Sequence, residues 1–423
     1  MKNLKHLVLI VGVYYPNPSP TGKCAMQYIE LLKEDYEIDV IYMQSGLKKI
    51  YEKDIDGVTL YGLSNWRLLI ESWFQQQHKK TQNKDLKRLY NACVLIMKAI
   101  GRIQSMILFP NNLRWFYKKA YKALRNIHLI KPIDVVFTVN SPFSAHLAGE
   151  LFKKKFTEIR WIAYTVDPYY VGFKNKKYVF ARKSQNALES ERKTLSLADM
   201  NLISEEIYEN SRILYENYID KVDVLPYLIE YNNLKSDHRF DSNKINLVYA
   251  GRFYQDIRNP EYLLRTFLLL QNTDIILHLY TTSDCERLIN DYVNQSEGRI
   301  IRHELVDAFE IKKIYASADF LINVGNSILE FKPSKTFDYI STGKPIIHFF
   351  QNGIIDEVLM HYPLSLQVDT QDQLIINNKR IIEFIHLNKG KIVNKNAIEE
   401  KFYKYSKKNI KNILNRSISN LII

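Results

Sequence analysis

The chain has 423 residues, too many for one ordinary hydrophobic core and enough for two domains. A hydrophobic content of 46% excludes a disordered chain. Three widely spaced cysteines, Cys24, Cys93 and Cys285, exclude a disulfide framework and a thiolate zinc site, and point to a reducing compartment.

The net charge of +13 is concentrated in two segments. Residues 79–126 carry 12 Lys or Arg against one acid, Asp85, and residues 389–423 carry nine against two, leaving the rest net negative. Residues 4–13 read as a first buried strand. Their apolar run ends in Tyr-Tyr-Pro-Asn without a small-residue cleavage site, which favours a strand over a signal peptide. No apolar run reaches the roughly 18 residues of a membrane span, so no transmembrane helix is expected. Residues 14–22 are rich in turn formers. Gly22, between a strand and a helix over 25–34, is a candidate for bringing a backbone N–H against a phosphate. The competing reading is that it only relieves a tight turn. A second strand follows over 38–43, and 48–65 read as a short hairpin or strand region.

Residues 86–108 form a helical pattern whose broad apolar face is surrounded by Lys87, Arg88, Lys98 and Arg102. Pro110 breaks it. A second basic helix, 114–127, holds Trp115, Phe116, Tyr117 and Tyr121. Basic residues interleaved with aromatics suit an interface with anionic lipid. They equally suit a solvated basic face backed by core aromatics. Strands are expected at 133–139, ending at Asn140-Ser-Pro, and at 160–165, ending at Asp167-Pro168. Ligands of open parallel sheets sit at such carboxyl ends. Asp167 is therefore a candidate for substrate contact, against a plain turn carboxylate. His146, on the helix between these strands, is a candidate catalyst, against a packed core histidine.

Residues 228–244 are polar and aperiodic and read as a linker. A second α/β set then begins. A strand over 245–250 ends at Gly251-Arg252, and Arg258-Asn259-Pro260 starts a helix. Strands over 275–280 and 300–302 and a helix over 309–316 lead to a buried strand over 319–325. Next comes EFKPSKTFDYISTGKP, residues 330–345. Its short helix over 336–341 stops at Thr342-Gly343-Lys344-Pro345, where Gly caps and Pro bars continuation. Another strand, 346–350, follows at once. The tail, 397–414, reads as a lysine-rich helix.

In a parallel sheet Arg252, Arg258 and Lys335 converge on one edge. Three cations and a helix N-terminus make a site for a diphosphate, because Arg offers forked donors to phosphate oxygens. Ser334 adds a hydroxyl donor, and Thr336, which opens the helix, is counted with the nucleotide-binding residues. Asp338 can accept two hydrogen bonds from a vicinal diol such as a ribose. Glu330 stands seven intervening residues earlier. The competing reading of the whole set is an ion-pair network.

These residues resemble glycosyltransferases of the GT-B fold, specifically the retaining family 4 type. The match is carried by VYAGRF at 248–253, by Arg258-Asn259, by EFKPSKTFDYISTGKPII at 330–347 and, more loosely, by YYPNPSPTG at 14–22. The resemblance implies an α/β, GT-B architecture: two facing Rossmann-like domains with parallel sheets and an interdomain cleft. The expected boundaries are 1–227 on the acceptor side, 228–395 for the sugar nucleotide, and a basic helix in 396–423 crossing back. It implies transfer of a sugar, with retention and without metal or cofactor, from a UDP- or GDP-linked donor to a glycan or polyprenyl-linked acceptor in surface-polysaccharide assembly. Glu330, Arg252, Lys335 and Asp167 would be catalytic. Gly22, Arg252, Arg258, Ser334, Lys335, Thr336 and Asp338 would bind the nucleotide. Asp338 stands where the family usually has Glu, shorter by one methylene, about 1.5 Å. A cytoplasmic enzyme at the inner face of the cell membrane, touching anionic lipid and no nucleic acid, is the expected setting. The rivals are a sugar-nucleotide epimerase of the same fold and a non-catalytic basic protein binding membrane or nucleic acid.

Overall fold

A computed structural model describes residues 4–44, 53–108, 110, 113–174, 181–231, 236–270, 274–331 and 334–419. The chain divides into two compact units, Met1–Pro226 with Lys408–Ile423, and Tyr227–Lys407.

The first unit opens with β1 (Lys5–Val11), α1 (Pro20–Leu32) and β2 (Tyr36–Met43). A hairpin of β3 (Lys53–Ile55) and β4 (Val58–Leu63) follows, antiparallel as its turn dictates. Three helices come next: α2 (Trp66–Lys80), α3 (Lys84–Ile107) and α4 (Arg114–Ile130). Then come β5 (Val135–Asn140), α5 (Ser144–Lys155), β6 (Arg160–Thr165), α6 (Val171–Lys174) and α7 (Ala181–Leu197). The unit continues through β7 (Met200–Ile203), α8 (Glu205–Asn210), α9 (Arg212–Tyr215) and β8 (Val222–Val224). The sheet order is β3-β4-β2-β1-β5-β6-β7-β8. All pairings but β3–β4 are parallel. β1 lies between β2 and β5, with Leu7 opposite Ile38 and Val135. Its residues after Lys5 are all buried, as expected for a strand covered on both faces.

Two features of this unit were not legible beforehand. The helix α2 pairs with α3, and Asn83 caps α3 by accepting from the N–H groups of Asp85 and Leu86. On α4, Phe116 is fully buried, and Trp115, Tyr117 and Tyr121 pack against the same core cluster. Trp115, Tyr117 and Tyr121 are half-buried, each with part of its ring on the core.

The second unit contains β9 (Ile245–Phe253), α10 (Glu261–Leu269), β10 (Ile275–Ser283), α11 (Glu286–Gln295) and β11 (Ile300–His303). It continues with α12 (Ala308–Ser317), β12 (Phe320–Val324), α13 (Lys335–Ile340), β13 (Ile346–Phe350), α14 (Glu357–Met360) and β14 (Ser365–Asp369). Its sheet order is β11-β10-β9-β12-β13-β14, parallel throughout. The chain winds outward from β9 in one direction and from β12 in the other. The reversal between these two neighbours is the topological switch point, where open sheets bind ligands at their carboxyl ends.

The tail expected over 397–414 is not one helix but is broken between 401 and 407. α15 (Leu374–Asn388) and α16 (Lys395–Lys401) belong to the second unit, and α17 (Lys407–Ser419) belongs to the first from Lys408 onward. The break falls where Phe402 and Tyr405 turn inward, Tyr405 against Phe337. The unit boundary therefore lies at 407/408, twelve residues later than the expected 395/396. On α17, Lys411 pairs with Asp35 at 2.8 Å and Arg416 with Asp223.

Candidate functional site

The site is built on the carboxyl ends of β9 and β12. β9 ends Gly251-Arg252-Phe253, and the chain then doubles back through a tight turn. Tyr254 and Arg258 exchange both backbone hydrogen bonds, at 3.1 and 2.9 Å, which sets Arg258 beside Arg252. The Arg258 guanidinium donates from Nε to Asn326 Oδ1 at 2.9 Å and from Nη1 to the Arg252 carbonyl at 3.4 Å. Arg252 itself is exposed, with its guanidinium 5.0 Å from the Tyr254 ring centre, a cation–π contact.

Asn326 follows β12 and ties this turn to the next segment. Its Nδ2 donates to the Phe331 carbonyl at 2.5 Å, next to Glu330, which is buried. Asn326 was not singled out from the sequence. Its only sequence signal is its place just after a buried strand at the switch point.

Helix α13 supplies the third side of the site, and each of its residues has a distinct neighbour. Lys335 and Tyr339, four apart, share one helix face. The Tyr339 hydroxyl meets the Ala250 N–H and carbonyl, each at 3.4 Å, pinning the helix to β9. That contact carries the Lys335 side chain across Gly251, where a β-carbon would lie 2.9 Å from Lys335 Cε and 3.0 Å from the Tyr249 hydroxyl. Glycine at 251 thus makes room for the lysine.

Ser334 precedes the helix, half-buried, and makes no side-chain cap bond. At six residues the helix is short, so charge at this site rests chiefly on side chains rather than on a macrodipole. Past Gly343, at φ +72°, the chain turns away as the sequence implied.

Thr336 departs from expectation. It is fully buried, with its hydroxyl accepting from Asn323 Nδ2 at 3.1 Å and donating to Asp356 Oδ2 at 2.8 Å. Asn323 lies on β12, and Asp356 caps α14. The Thr336 side chain therefore anchors the helix from beneath. Asp338 is half-buried and lines a cavity of about 440 Å³ with Tyr231, Lys312, Tyr315, Lys344 and Lys395.

In the first unit, Gly22 lies within the first turn of α1. Its N–H is bonded to Ser19 Oγ at 3.2 Å, and a β-carbon would stand 2.1 Å from the Val13 carbonyl oxygen. Close approach of helix to strand end accounts for the glycine, and its N–H is already engaged by the cap. His146 is buried between Thr138 Oγ1, 2.8 Å from Nδ1, and Thr165 Oγ1, 3.1 Å from Nε2. Burial pushes its pKa down to about 3, so the imidazole is held neutral.

Asp167 follows β6, and its carbonyl accepts from Asn140 Nδ2 at 2.9 Å. The residue is open to solvent, yet surrounding protein crowds it enough that desolvation pushes its carboxyl up to about 6. Just beyond, buried Glu191 accepts from the N–H groups of Tyr169, at 2.5 Å, and Tyr170, at 3.1 Å. Burial outweighs these two bonds and pushes its carboxyl up to about 7. Among the described residues, no group of three or more His, Cys, Asp or Glu is arranged to hold a metal ion.

No family model matches the sequence, and a search of curated proteins found no match. Solved structures do match over the whole chain. Sucrose-phosphate synthase from Thermosynechococcus elongatus aligns with a TM-score of 0.68 and 14% identity over 99% of each chain. A UDP-forming α,α-trehalose-phosphate synthase from Burkholderia xenovorans gives 0.65 and 9%, over 99% of this chain and 100% of that one. The lipopolysaccharide outer core galactosyltransferase WaaB gives 0.56 and 12%, over 98% of this chain and 99% of that one. The chain has the GT-B fold. In this GT-B chain Arg252 and Arg258 lie at and just past the end of β9, the Lys335 side chain passes over Gly251, and Glu330 and Ser334 lie on the segment between β12 and α13. The Thr336 hydroxyl is taken up by Asn323 and Asp356, Asn326 accepts from Arg258, and Tyr339 pins α13 to β9.

Proposed function

We propose that this protein is a glycosyltransferase that moves a sugar from a nucleoside-diphosphate sugar to a glycan or lipid-linked glycan acceptor, with retention of anomeric configuration. The observation that carries the reading is the placement of Lys335 across Gly251, next to Arg252, whose carbonyl accepts from the Arg258 guanidinium. A cationic edge at a sheet switch point fits a diphosphate leaving group. As the bond to the sugar breaks, negative charge grows on that diphosphate. Fixed guanidinium and ammonium donors stabilise it without having to reorganise. Arg258 is held by Asn326 and by the Arg252 carbonyl, so its orientation is set before the donor arrives. Glu330 would lie near the donor sugar and Asp338 would take the ribose hydroxyls. A UDP-forming relative favours UDP as the first nucleotide to try.

The test is thermal melting with UDP, GDP and their sugar conjugates. UDP or GDP at about 100 times its Kd should add roughly 2.7 kcal/mol of apparent stability. Lys335→Ala should remove most of that gain. A wild-type chain that no nucleotide stabilises would overturn the donor site. A sugar nucleotide converted to its free epimer without any acceptor would favour the epimerase instead.

A further inference from the structure

The helical hairpin of α2 and α3 leaves a long apolar face uncovered. Its inner side is filled: Tyr90 of α3 meets Trp73 and Phe74 of α2, and Arg67 reaches from α2 to the Met97 carbonyl at 3.2 Å. Val94 and Gly101 are buried on that side. The opposite side of α3 carries Leu89, Ala92, Ile96, Ala99, Ile103 and Ile107, spaced three or four apart on one stripe. All six are exposed, with Leu89, Ile96 and Ile103 at 55–56% and Ile107 at 75%. A stripe this regular and this exposed is unlike the scattered single apolar residues of an ordinary surface.

Lys84, Arg88, Lys98 and Arg102 are also exposed and follow the stripe along one edge. Residues 66–107 hold eight Lys or Arg and only two acids, Glu71 and Asp85. Both acids are paired within the hairpin, to Arg67 and Arg88. A second copy docked on this stripe would set one basic edge against another without acids to match. An anionic lipid surface supplies the missing countercharge along the whole edge and takes the apolar stripe into its acyl boundary. No helix among the described residues is long and apolar enough to cross a membrane. The 24-residue α3, about 36 Å long, suits lying in the interface plane.

We propose that the outward face of α3 docks the protein on an anionic bilayer, with the stripe Leu89–Ile96–Ile103 inserted and the basic edge on the headgroups. This assignment moves lipid contact from α4 to α3 and does not depend on the donor site.

The experiment is flotation of the full chain with phosphatidylglycerol/phosphatidylcholine vesicles, alongside phosphatidylcholine alone. Wild type should float with the anionic vesicles, less so as salt rises, and not with phosphatidylcholine alone. The triple variant Leu89→Gln, Ile96→Gln, Ile103→Gln should lower the bound fraction ~10-fold or more. Because these side chains are exposed, its melting temperature and its nucleotide-induced shift should match wild type. Ile375→Gln with Ile376→Gln, exposed apolar positions on α15, should leave flotation unchanged. Wild type that ignores anionic vesicles, or a triple variant that floats as well as wild type, overturns the proposal. So does a concentration-dependent dimer, seen by sedimentation and lost in the triple variant, without vesicle binding.

Discussion

The side chain of Lys335 crosses the end of β9 at Gly251, where a β-carbon would stand 2.9 Å from its Cε. The nearest atom belongs to the flexible end of a long side chain, and the buried Tyr249 hydroxyl, 3.0 Å away, must also give by a few tenths of an ångström. Gly251→Ala should therefore displace the ammonium while the fold survives. We expect nucleotide affinity to fall about 10-fold, near 1.4 kcal/mol, with a much smaller change in melting temperature. Combining it with Lys335→Ala should add little, since both act through one group. Titration calorimetry of the four proteins checks this. Full additivity would mean that the two positions act separately.

Thr336 should behave in the opposite way. Thr336→Val keeps the shape but strips the partner from Asn323 and from Asp356. The expected cost is about 2 kcal/mol of stability, from leaving buried polar groups unsatisfied. Urea unfolding measures it. Nucleotide affinity of the folded fraction should drop less than in Lys335→Ala, and an equal drop would put Thr336 at the ligand.

Glu191 gives the chain a pH dependence of known sign. Its folded pKa lies near 7, above its ordinary 4.5, because burial disfavours the carboxylate. The folded chain thus holds this proton more tightly than the unfolded chain. The associated stability is complete below about 4.5 and is lost as pH rises through about 7. Glu191→Gln cannot titrate. The stability of wild type relative to this variant should fall between pH 4.5 and 7, by on the order of 3 kcal/mol. Parallel melting curves of the two proteins across that window would contradict the assignment.

Gly22→Ala tests the packing reason for that glycine. A β-carbon 2.1 Å from the Val13 carbonyl oxygen has no flexible neighbour to displace. Destabilisation of about 2–3 kcal/mol is expected, read by denaturant unfolding. The nucleotide-induced shift, per folded molecule, should be unchanged.

Strand periodicity and the Gly-Pro punctuation after α13 made the two α/β units legible, because these signals are local. The places of Arg252 and Arg258 just after β9 and of Lys335 at the start of α13 were legible for the same reason: each stands beside a readable strand or helix. What escaped was set by contacts between distant residues. Thr336 looks like a ligand in sequence because it sits between Lys335 and Asp338, yet one helical step turns it toward Asn323 and Asp356. The aromatics of α4 follow the same basic–aromatic alternation whether they meet lipid or a core, and only packing shows Phe116 fully buried and Trp115, Tyr117 and Tyr121 half-buried against it. Tyr339 and Asn326 were unreadable because their partners, Ala250 and Arg258, lie 89 and 68 residues away.

The return of α17 to the first unit has a consequence for how the chain is made. Ile410, Leu414 and Ile418 are completely buried, yet they are synthesised after the whole of the second unit. The second unit, Tyr227–Lys407, is in effect an insertion within the first. It can complete its own core while still close to the ribosome. The first unit must wait for residues 408–419, so the part of the molecule that is begun first is closed last.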